Sequence, residues 1–389
     1  MRKVYLDHAG TTPLNPEVYS LMCEFMKNTF GNPSSIHSFG REAKKWVDKA
    51  RRQVAELIGA EAGEIIFTSG GTEADNLAII GAAAARRKKG NHIITSSIEH
   101  PAVLNTCKHL AKNGFDVTFL PVDHYGLVEP EQLRREIRPE TILISIMHAN
   151  NEIGTIEPVK EIAAVAREHG VLFHTDAVQS AGKIPVDVNA LGVDLLTLSS
   201  HKIYGPKGVG ALYKRKKVRL HPVVFGGGQE GNARSGTENT IGIVGFGKAA
   251  EIAARDLDSE FERTGKLRDK LIRGIEERIS DVRYNGHPER RLPHIVNFSF
   301  SYVEGESMLL SLDMKGIAAS SGSACSSSAL KPSHVLTAIG LPYELVHGSL
   351  RMTLGRMNDE ADIDYVLDVL PGIIAKLRSF SPLANKLTV

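Results

Sequence analysis

The chain has 389 residues, with 47 Lys and Arg against 45 Asp and Glu, and its length allows roughly two domains. The near balance of charge gives no sign of a nucleic-acid or membrane partner. The first residues include the charged Asp7 and contain no apolar stretch typical of a secretory signal. The longest apolar run, around residues 77–85, is far shorter than the ~20 residues of a membrane-spanning helix. We therefore expect neither a secretory signal nor a membrane anchor.

The three cysteines, Cys23, Cys107 and Cys325, are far apart in the sequence. Their odd number and spacing predict neither a disulfide framework nor a zinc site. The histidines form no His-Glu-x-x-His pattern either. We expect a reducing, cytoplasmic setting and no metal.

The N-terminal part contains a short strand, a turn and two helices. The first helix is predicted at about 16–28, and the second, at about 40–58, alternates basic and apolar positions. From residue 64 onward, short apolar strands alternate with helices. The candidate strands are 65–68, 93–96, 117–121, 142–147, 171–174, 195–199 and 210–213, the last of which is either parallel or an antiparallel edge strand. The alternation predicts a mostly parallel sheet with helices on both faces.

Ligands of open α/β sheets bind outside the carboxyl ends of the strands, and five of these strands are followed by chemically distinctive residues. The glycine-rich turn at 69–72 opens a helix whose free N–H groups suit a phosphate. No Gly-Lys-Ser/Thr follows it, so it is not a Walker A loop. His100 has a ring that could stack on a flat cofactor, although an ordinary loop histidine is the plain alternative.

Three further strand ends carry polar groups. Asn150 and Asn151 could bind a hydroxyl or a carboxylate, or cap the next element. Asp176 ends a buried strand, where a carboxylate needs a partner such as a protonated pyridine nitrogen; helix capping is the alternative. Lys202 follows a buried apolar strand, where burial lowers the pKa of an amine and favours a Schiff base with a carbonyl compound or pyridoxal phosphate. Together these groups are the parts that a pyridoxal-phosphate site requires.

The specific motifs are Thr68-Ser69-Gly70-Gly71-Thr72-Glu73, Glu99-His100, Asn150-Asn151-Glu152-Ile153-Gly154, His201-Lys202-Ile203-Tyr204-Gly205-Pro206-Lys207-Gly208, Arg234-Ser235-Gly236-Thr237 and Gly322-Ser323-Ala324-Cys325-Ser326. In this combination the chain resembles the fold-type-I pyridoxal-phosphate enzymes of the class-V aminotransferase group. Within that group it is similar to the group I cysteine desulfurases, the NifS/IscS type. The resemblance extends from about Tyr5 to Ser379.

The resemblance implies a role for each matching residue. Lys202 would form the Schiff base with pyridoxal phosphate, Asp176 would pair with the pyridine nitrogen, and Gln179 would bond the ring hydroxyl. His100 would stack on the ring and act in proton transfer. The other implied cofactor-binding residues are Gly71, Thr72, Asn151, Ser199, Ser200 and His201, together with Thr237, which would reach the phosphate of a neighbouring subunit and so implies a homodimer.

The resemblance also implies how the substrate is held. Asn151 and either Arg351 or Arg356 would bind the substrate carboxylate, for which the planar fork of arginine is suited, and Arg351 is preferred. Cys325 would take the substrate sulfur as a persulfide. Small polar residues surround Cys325, a composition that predicts a mobile loop and a reactive rather than a structural thiol.

Beyond about residue 250 the sequence predicts a smaller α+β domain. A charged amphipathic helix is expected at about 251–280, a strand at 295–300 and a helix at 306–314. We expect a large cofactor domain at 14–257 and a small domain made of 1–13 and 258–389, which carries the cysteine loop. The longer C-terminal extension with which some bacterial members contact an iron–sulfur scaffold protein is not evident here.

The predicted activity is conversion of L-cysteine to L-alanine, with the sulfur supplied to iron–sulfur cluster assembly or tRNA thiolation through an acceptor protein. An aminotransferase, or a selenocysteine or carbon–sulfur lyase, is the alternative that would use Lys202 and Asp176 without Cys325. A protein of another class, a sulfur or cluster scaffold without turnover, would need no Schiff base. No membrane association and no stable binding of nucleic acid are expected.

Overall fold

The computed structural model describes residues 2–321 and 332–381. The strands in these ranges are β1 (Val4–Tyr5), β2 (Ile65–Thr68), β3 (His92–Ser96), β4 (Asp116–Leu120), β5 (Thr141–Ser145), β6 (Leu172–Asp176), β7 (Leu195–Ser199), β8 (Gly210–Lys214), β9 (Val282–Tyr284), β10 (Ile295–Phe300), β11 (Ile317–Ala318) and β12 (Ser349–Thr353). The helices are α1 (Pro16–Asn28), α2 (Ser38–Leu57), α3 (Gly71–Arg86), α4 (Pro101–Lys112), α5 (Pro130–Glu136), α6 (Val159–Glu168), α7 (Val188–Leu191), α8 (Thr240–Arg255), α9 (Leu257–Arg278), α10 (Gly305–Asp313), α11 (His334–Ala338), α12 (Tyr343–His347) and α13 (Glu360–Phe380).

The central sheet has seven strands in the order β2-β8-β7-β6-β5-β3-β4. Within the run β7-β6-β5-β3-β4, each pair of adjacent strands is parallel. Successive residues of a strand face opposite sides, so Leu143 of β5 joins the core that includes α3 and α4, while Ile144 joins the core that includes α2, α6 and α8. The prediction of a mostly parallel sheet between helices is confirmed.

Two elements differ from the prediction. The strand predicted at 210–213 is β8, which is antiparallel to both β2 and β7 and therefore lies one place in from the edge. The long helix predicted at 251–280 is two helices that meet at Asp256. The backbone of Asp256 leaves the helical region (φ −100°, ψ 6°), and its carboxylate accepts bonds from Arg255 and from the distant Arg356. A tertiary contact therefore accompanies a break that the local pattern does not mark.

A further hydrophobic core lies around a three-stranded antiparallel sheet in the order β12-β10-β9. Helices α9, α10 and α13 contribute to this core, as do Val4 and Leu6 from the start of the chain. β1 pairs in parallel with β11, so the N-terminal segment joins this part of the structure. None of the helices in the described ranges combines the length and apolar character needed to span a bilayer.

Candidate active site

The polar residues that follow the central strands meet at the carboxyl edge of the sheet and surround a cavity of about 250 Å³. The predicted residues that line it are Gly71, Thr72, His100, Asn151, Asp176, Gln179, Ser199, His201 and Lys202. These side chains come from turns that are far apart in sequence. The parallel strands bring them together, because each strand delivers its last residue to the same edge.

Lys202 ends a short 3-10 helix, Ser200–Lys202, directly after the buried β7. Its Nζ donates to the carbonyl oxygens of Ala9, at 2.5 Å, and Gly10, at 2.7 Å. The amine is thus held at the cavity wall by backbone acceptors of the N-terminal segment. A side-chain amine held in this way is suited to bond with a carbonyl compound.

Asp176 is the last residue of β6 and is 6% exposed. Burial raises the pKa of its carboxyl group to about 6, against the opposing effects of the backbone N–H of Val178 and the charge of Lys202. The Val178 N–H donates to Oδ1 at 2.8 Å. A positive group beside this carboxylate would replace the solvation that burial removes.

His100 caps the N-terminus of α4, and its Nδ1 accepts a hydrogen bond from the Ala102 N–H at 3.1 Å. Burial, followed by the positive charge of Lys202 and the neighbouring His334, lowers the pKa of the imidazole to about 4. The ring is therefore neutral near pH 7. Because Nδ1 accepts, the ring proton is on Nε2, which is a donor.

The start of α3 forms the anion-binding end of the cavity. Gly71 is its first residue, and a Cβ at this position would lie 3.0 Å from Val178. A second cavity of about 350 Å³ shares Gly71, Thr72, Ser199 and His201 with the first and adds Lys207. His201 Nδ1 lies 3.1 Å from the Thr11 hydroxyl. The helix N-terminus and these side chains suit a phosphate group.

The two candidate arginines occupy different places. Arg351 is 4% exposed; it donates to the Asn151 carbonyl oxygen at 3.0 Å and to Asp7 at 2.9 Å. Arg356 instead pairs with Asp256 at 2.7 Å and lines a separate small cavity of about 20 Å³. Within residues 2–321 and 332–381, Arg351 is the one of these two arginines that donates a hydrogen bond to a residue lining the main cavity.

Three other predicted residues are not among those that line the main cavity. Ser200 is buried beside it, where a Cβ on Gly205 would collide with its hydroxyl. Thr237 is exposed and follows Arg234, which forms an ion pair with Glu73. Cys325 and the loop predicted around it lie outside the described residues.

The described residues on either side of that loop are anchored to the site. Ser320 and Arg351 exchange two backbone hydrogen bonds, at 3.1 and 2.7 Å. The Ser333 hydroxyl donates to Glu152 at 2.5 Å, and Nε2 of His334 lies 2.9 Å from the Glu99 carbonyl oxygen. In the described part of the chain, no cluster of three His, Cys, Asp or Glu side chains is placed to hold a metal ion.

Sequence reasoning missed two contributions to the cavity. Gly10 lines it, and Ala9 accepts from Lys202 and Gln179, although neither residue type carries a chemical signal. Asp75 also lines it. Its spacing of three from Thr72 on a predicted helix was the available signal, because residues three apart share a face.

The residues present fit pyridoxal phosphate. The cavity joins an amine, a buried carboxylate and a neutral imidazole, and its anion-binding end is formed by the first turn of α3. The buried carboxylate of Asp176 suits a protonated ring nitrogen as its partner. Gly71 at the start of α3 leaves open the space that a Cβ would occupy. Lys202, Asp176, Gln179, His100, Thr72, Ser199 and His201 are the side chains that would hold the group.

Residues 4–366 match the family described as Aminotransferase class-V. A curated relative, "Cysteine desulfurase IscS" of Dictyoglomus turgidum, is 59% identical over 381 residues, which cover 98% of this chain and 97% of the relative. A solved structure titled "NIFS-LIKE PROTEIN" superposes with a TM-score of 0.91 at 38% identity, covering 96% of this chain and all of the other. Another, titled "SspA in complex with cysteine", has a TM-score of 0.80 at 40% identity and covers 90% and 99% of the two chains.

Proposed function

The chain belongs to the class-V aminotransferase family and is a pyridoxal-phosphate-dependent cysteine desulfurase, and from this premise we propose which of its residues carry the reaction. The observation that carries the assignment is the convergence of Lys202, Asp176 and His100 on one cavity at the carboxyl edge of the sheet. Pyridoxal phosphate, when bound, supplies the electron sink for the carbon atoms of the substrate. The protein supplies binding, orientation and proton transfer.

Asp176 would keep a proton on the ring nitrogen, because its buried carboxylate would gain a positive partner. The amine of Lys202 would bind the cofactor and would move the α-proton of the substrate. Gln179 would bond the ring hydroxyl. Gly71, Thr72, Ser199 and His201 would bind the phosphate at the start of α3, and Ser200 would support this turn from its buried position beside the cavity.

Arg351 binds the substrate carboxylate, with Asn151 beside it. This choice over Arg356 is supported by the hydrogen bond from Arg351 to the backbone of Asn151, which lines the cavity, and by the pairing of Arg356 with Asp256 in a separate cavity. L-Cysteine is the amino acid that this arrangement holds.

Cys325 accepts the sulfur. Its thiolate forms an S–S bond with the substrate sulfur while the carbon–sulfur bond breaks, and the bonding electrons remain with the substrate carbon, which then takes up a proton. The products are L-alanine and a persulfide on Cys325, so no external oxidant or reductant is needed. The neutral ring of His100 carries its proton on Nε2, so it is placed to donate a hydrogen bond within the cavity.

We extend the proposal to the assembly and the setting of the enzyme. The hydrophobic core around the three-stranded sheet is separate from the cores on the two faces of the central sheet, which supports a large domain at 14–257 and a small domain at 1–13 and 258–389. The exposure of Thr237 fits a homodimer in which this residue reaches the phosphate of the neighbouring subunit. The relative named IscS supports a sulfur-acceptor protein in iron–sulfur cluster assembly, with tRNA thiolation as a second destination. A cytoplasmic location fits a reactive thiol.

The test is release of alanine and sulfide from L-cysteine in the presence of a thiol reductant. Wild type is expected to release both in equal amounts. Cys325→Ala should keep the yellow colour of the bound cofactor and release neither, whereas the matched control Cys23→Ala should behave as wild type. If Cys325→Ala is as active as wild type, sulfur does not pass through this thiol, and a lyase without the persulfide step replaces the proposal.

A further inference from the structure

Asp75 belongs to the same helix that forms the phosphate end of the cavity. It lies three residues after Thr72 on α3, and both residues line the cavity with Asp176 and Lys202. Residues with this spacing share one face of a helix. The first turns of α3 therefore present two different groups to the cavity, a helix terminus suited to phosphate and a carboxyl group deeper in the protein.

The carboxyl group of Asp75 is buried in a polar layer between α3 and the sheet. The residue is 1% exposed, and its Oδ1 has no hydrogen-bond partner among residues 2–321 and 332–381. Nε2 of His174 is 3.6 Å from this oxygen, which is too far for a hydrogen bond. Nε2 of His174 is instead 3.0 Å from the Thr197 hydroxyl.

Asp176 belongs to the same layer. His174 and Asp176 are two residues apart on β6 and so face the same side of the sheet. Thr197 is directly opposite Asp176 on the neighbouring strand β7. The structure therefore places two carboxyl groups, Asp75 from the helix and Asp176 from the sheet, in one water-poor space beneath the cavity.

The surroundings of the two carboxyl groups favour different charge states. Burial, followed by the charge of Asp176, raises the pKa of Asp75 well above its ordinary value; a hydrogen bond with Thr197 opposes this effect, and the charge of Glu99 adds to it. Asp176 has an N–H donor and the charge of Lys202 to stabilise its ionised form. His174 offers no compensating positive charge, because burial lowers the pKa of its ring to about 3. Two carboxylates in such a space disfavour each other's ionisation.

We propose that Asp75 is a positioning residue for the cofactor: a neutral carboxylic acid that orders the polar layer and leaves Asp176 as the negative charge at the ring nitrogen. The inference rests on the proposed function, because it takes Asp176 as the partner of that nitrogen. The neutral acid keeps a proton to donate within the layer that contains His174 and Thr197. Because it is neutral, it does not compete with Asp176 for the positive charge of the ring.

The charge state can be tested on the apoprotein, without cofactor or turnover. An infrared difference spectrum of wild type minus Asp75→Asn at pH 7 should contain the C=O stretch of a protonated carboxyl group. Other buried acids, such as Glu99, are present in both proteins and cancel in the difference. A difference spectrum that contains carboxylate bands instead would overturn the proposal, whatever the outcome for the catalytic residues.

The positioning role can be tested by titrating the apoproteins with pyridoxal phosphate and following protein fluorescence. Asp75→Ala should weaken binding by about 10- to 100-fold, because it removes the hydrogen bond that Asp75 makes with Thr197, the residue opposite Asp176 in the sheet. Asp75→Asn, which keeps the shape and the neutrality, should recover affinity to within about 5-fold of wild type. Binding to Asp75→Ala that equals wild type, or an Asn variant as weak as the Ala variant, contradicts the proposal. Unchanged binding to Asp176→Asn would instead refute the ring-nitrogen assignment.

Discussion

The guanidinium of Arg351 has donors to spare for a substrate carboxylate. Arginine carries five N–H donors, and the structure shows one bond to the Asn151 carbonyl oxygen, at 3.0 Å, and one to Asp7, at 2.9 Å. Its buried Nε has no hydrogen-bond partner within the described ranges. We therefore expect Arg351→Gln to remove two charge-assisted hydrogen bonds to L-cysteine while the cofactor residues stay in place.

The expected loss follows from the strength of such bonds. A hydrogen bond to a charged group contributes about 1.5–3 kcal/mol, so two of them contribute at least ~3 kcal/mol, or roughly a 150-fold loss of kcat/KM. The loss should fall mainly on KM, because the carboxylate is bound before and during the reaction. Alanine release across a range of L-cysteine concentrations measures both constants.

Two control variants separate substrate binding from structural effects. Asp7→Asn removes the ion pair at 2.9 Å but leaves the guanidinium in place, so it reports how much of the loss comes from orienting Arg351. Arg356→Gln breaks the pair with Asp256 and should cost about 1 kcal/mol of folding stability, with kcat/KM within about 3-fold of wild type. If Arg356→Gln raises KM by more than 100-fold and Arg351→Gln does not, Arg356 holds the carboxylate and the reasoning is refuted.

Two further predictions concern stability, measured by urea unfolding of the apoprotein. The side chain of Glu230 is 3% exposed and accepts two hydrogen bonds from Arg51, so Glu230→Gln should lower the free energy of unfolding by about 3 kcal/mol. Asp48→Asn, in the exposed pair with Lys44, should lower it by less than ~0.5 kcal/mol. Similar losses in the two variants would contradict the burial argument. Burial raises the pKa of Glu99 from 4.5 to about 8, so the native protein keeps a proton that the unfolded chain loses, and stability falls as pH rises through that window. Glu99→Gln should reduce this decline, and an unchanged pH profile would show that Glu99 is ionised in the folded protein.

The sequence predicts the central sheet and most of the cavity because both depend on local patterns. Continuous apolar runs mark the buried strands, and the residues after them are brought to one edge by the parallel arrangement. Lys202, Asp176 and His100 could therefore be assigned to one site from their positions after predicted strands. The structure places all three on the wall of the same cavity.

The sequence is less informative where a tertiary contact decides the structure. The break at Asp256 lies within a continuous helical pattern and accompanies a bond to a residue 100 positions later, Arg356. Asp75 illustrates the same limit for chemistry. Its charge state depends on the nearby carboxyl groups of Asp176 and Glu99, which come from separate strand ends and cannot be located from the spacing within α3.

The N-terminal segment at residues 7–12 determines how the site is completed. The carbonyl oxygens of Ala9 and Gly10 hold the Lys202 amine, and Asp7 holds the guanidinium of Arg351. One short segment thus fixes both the residue proposed to form the Schiff base and the residue proposed to bind the substrate carboxylate. Because these contacts join positions more than 190 residues apart, the distance between amine and guanidinium depends on how the segment is anchored. The pairing of β1 with β11 provides that anchor, so weakening it should disturb substrate orientation before it disturbs the central sheet.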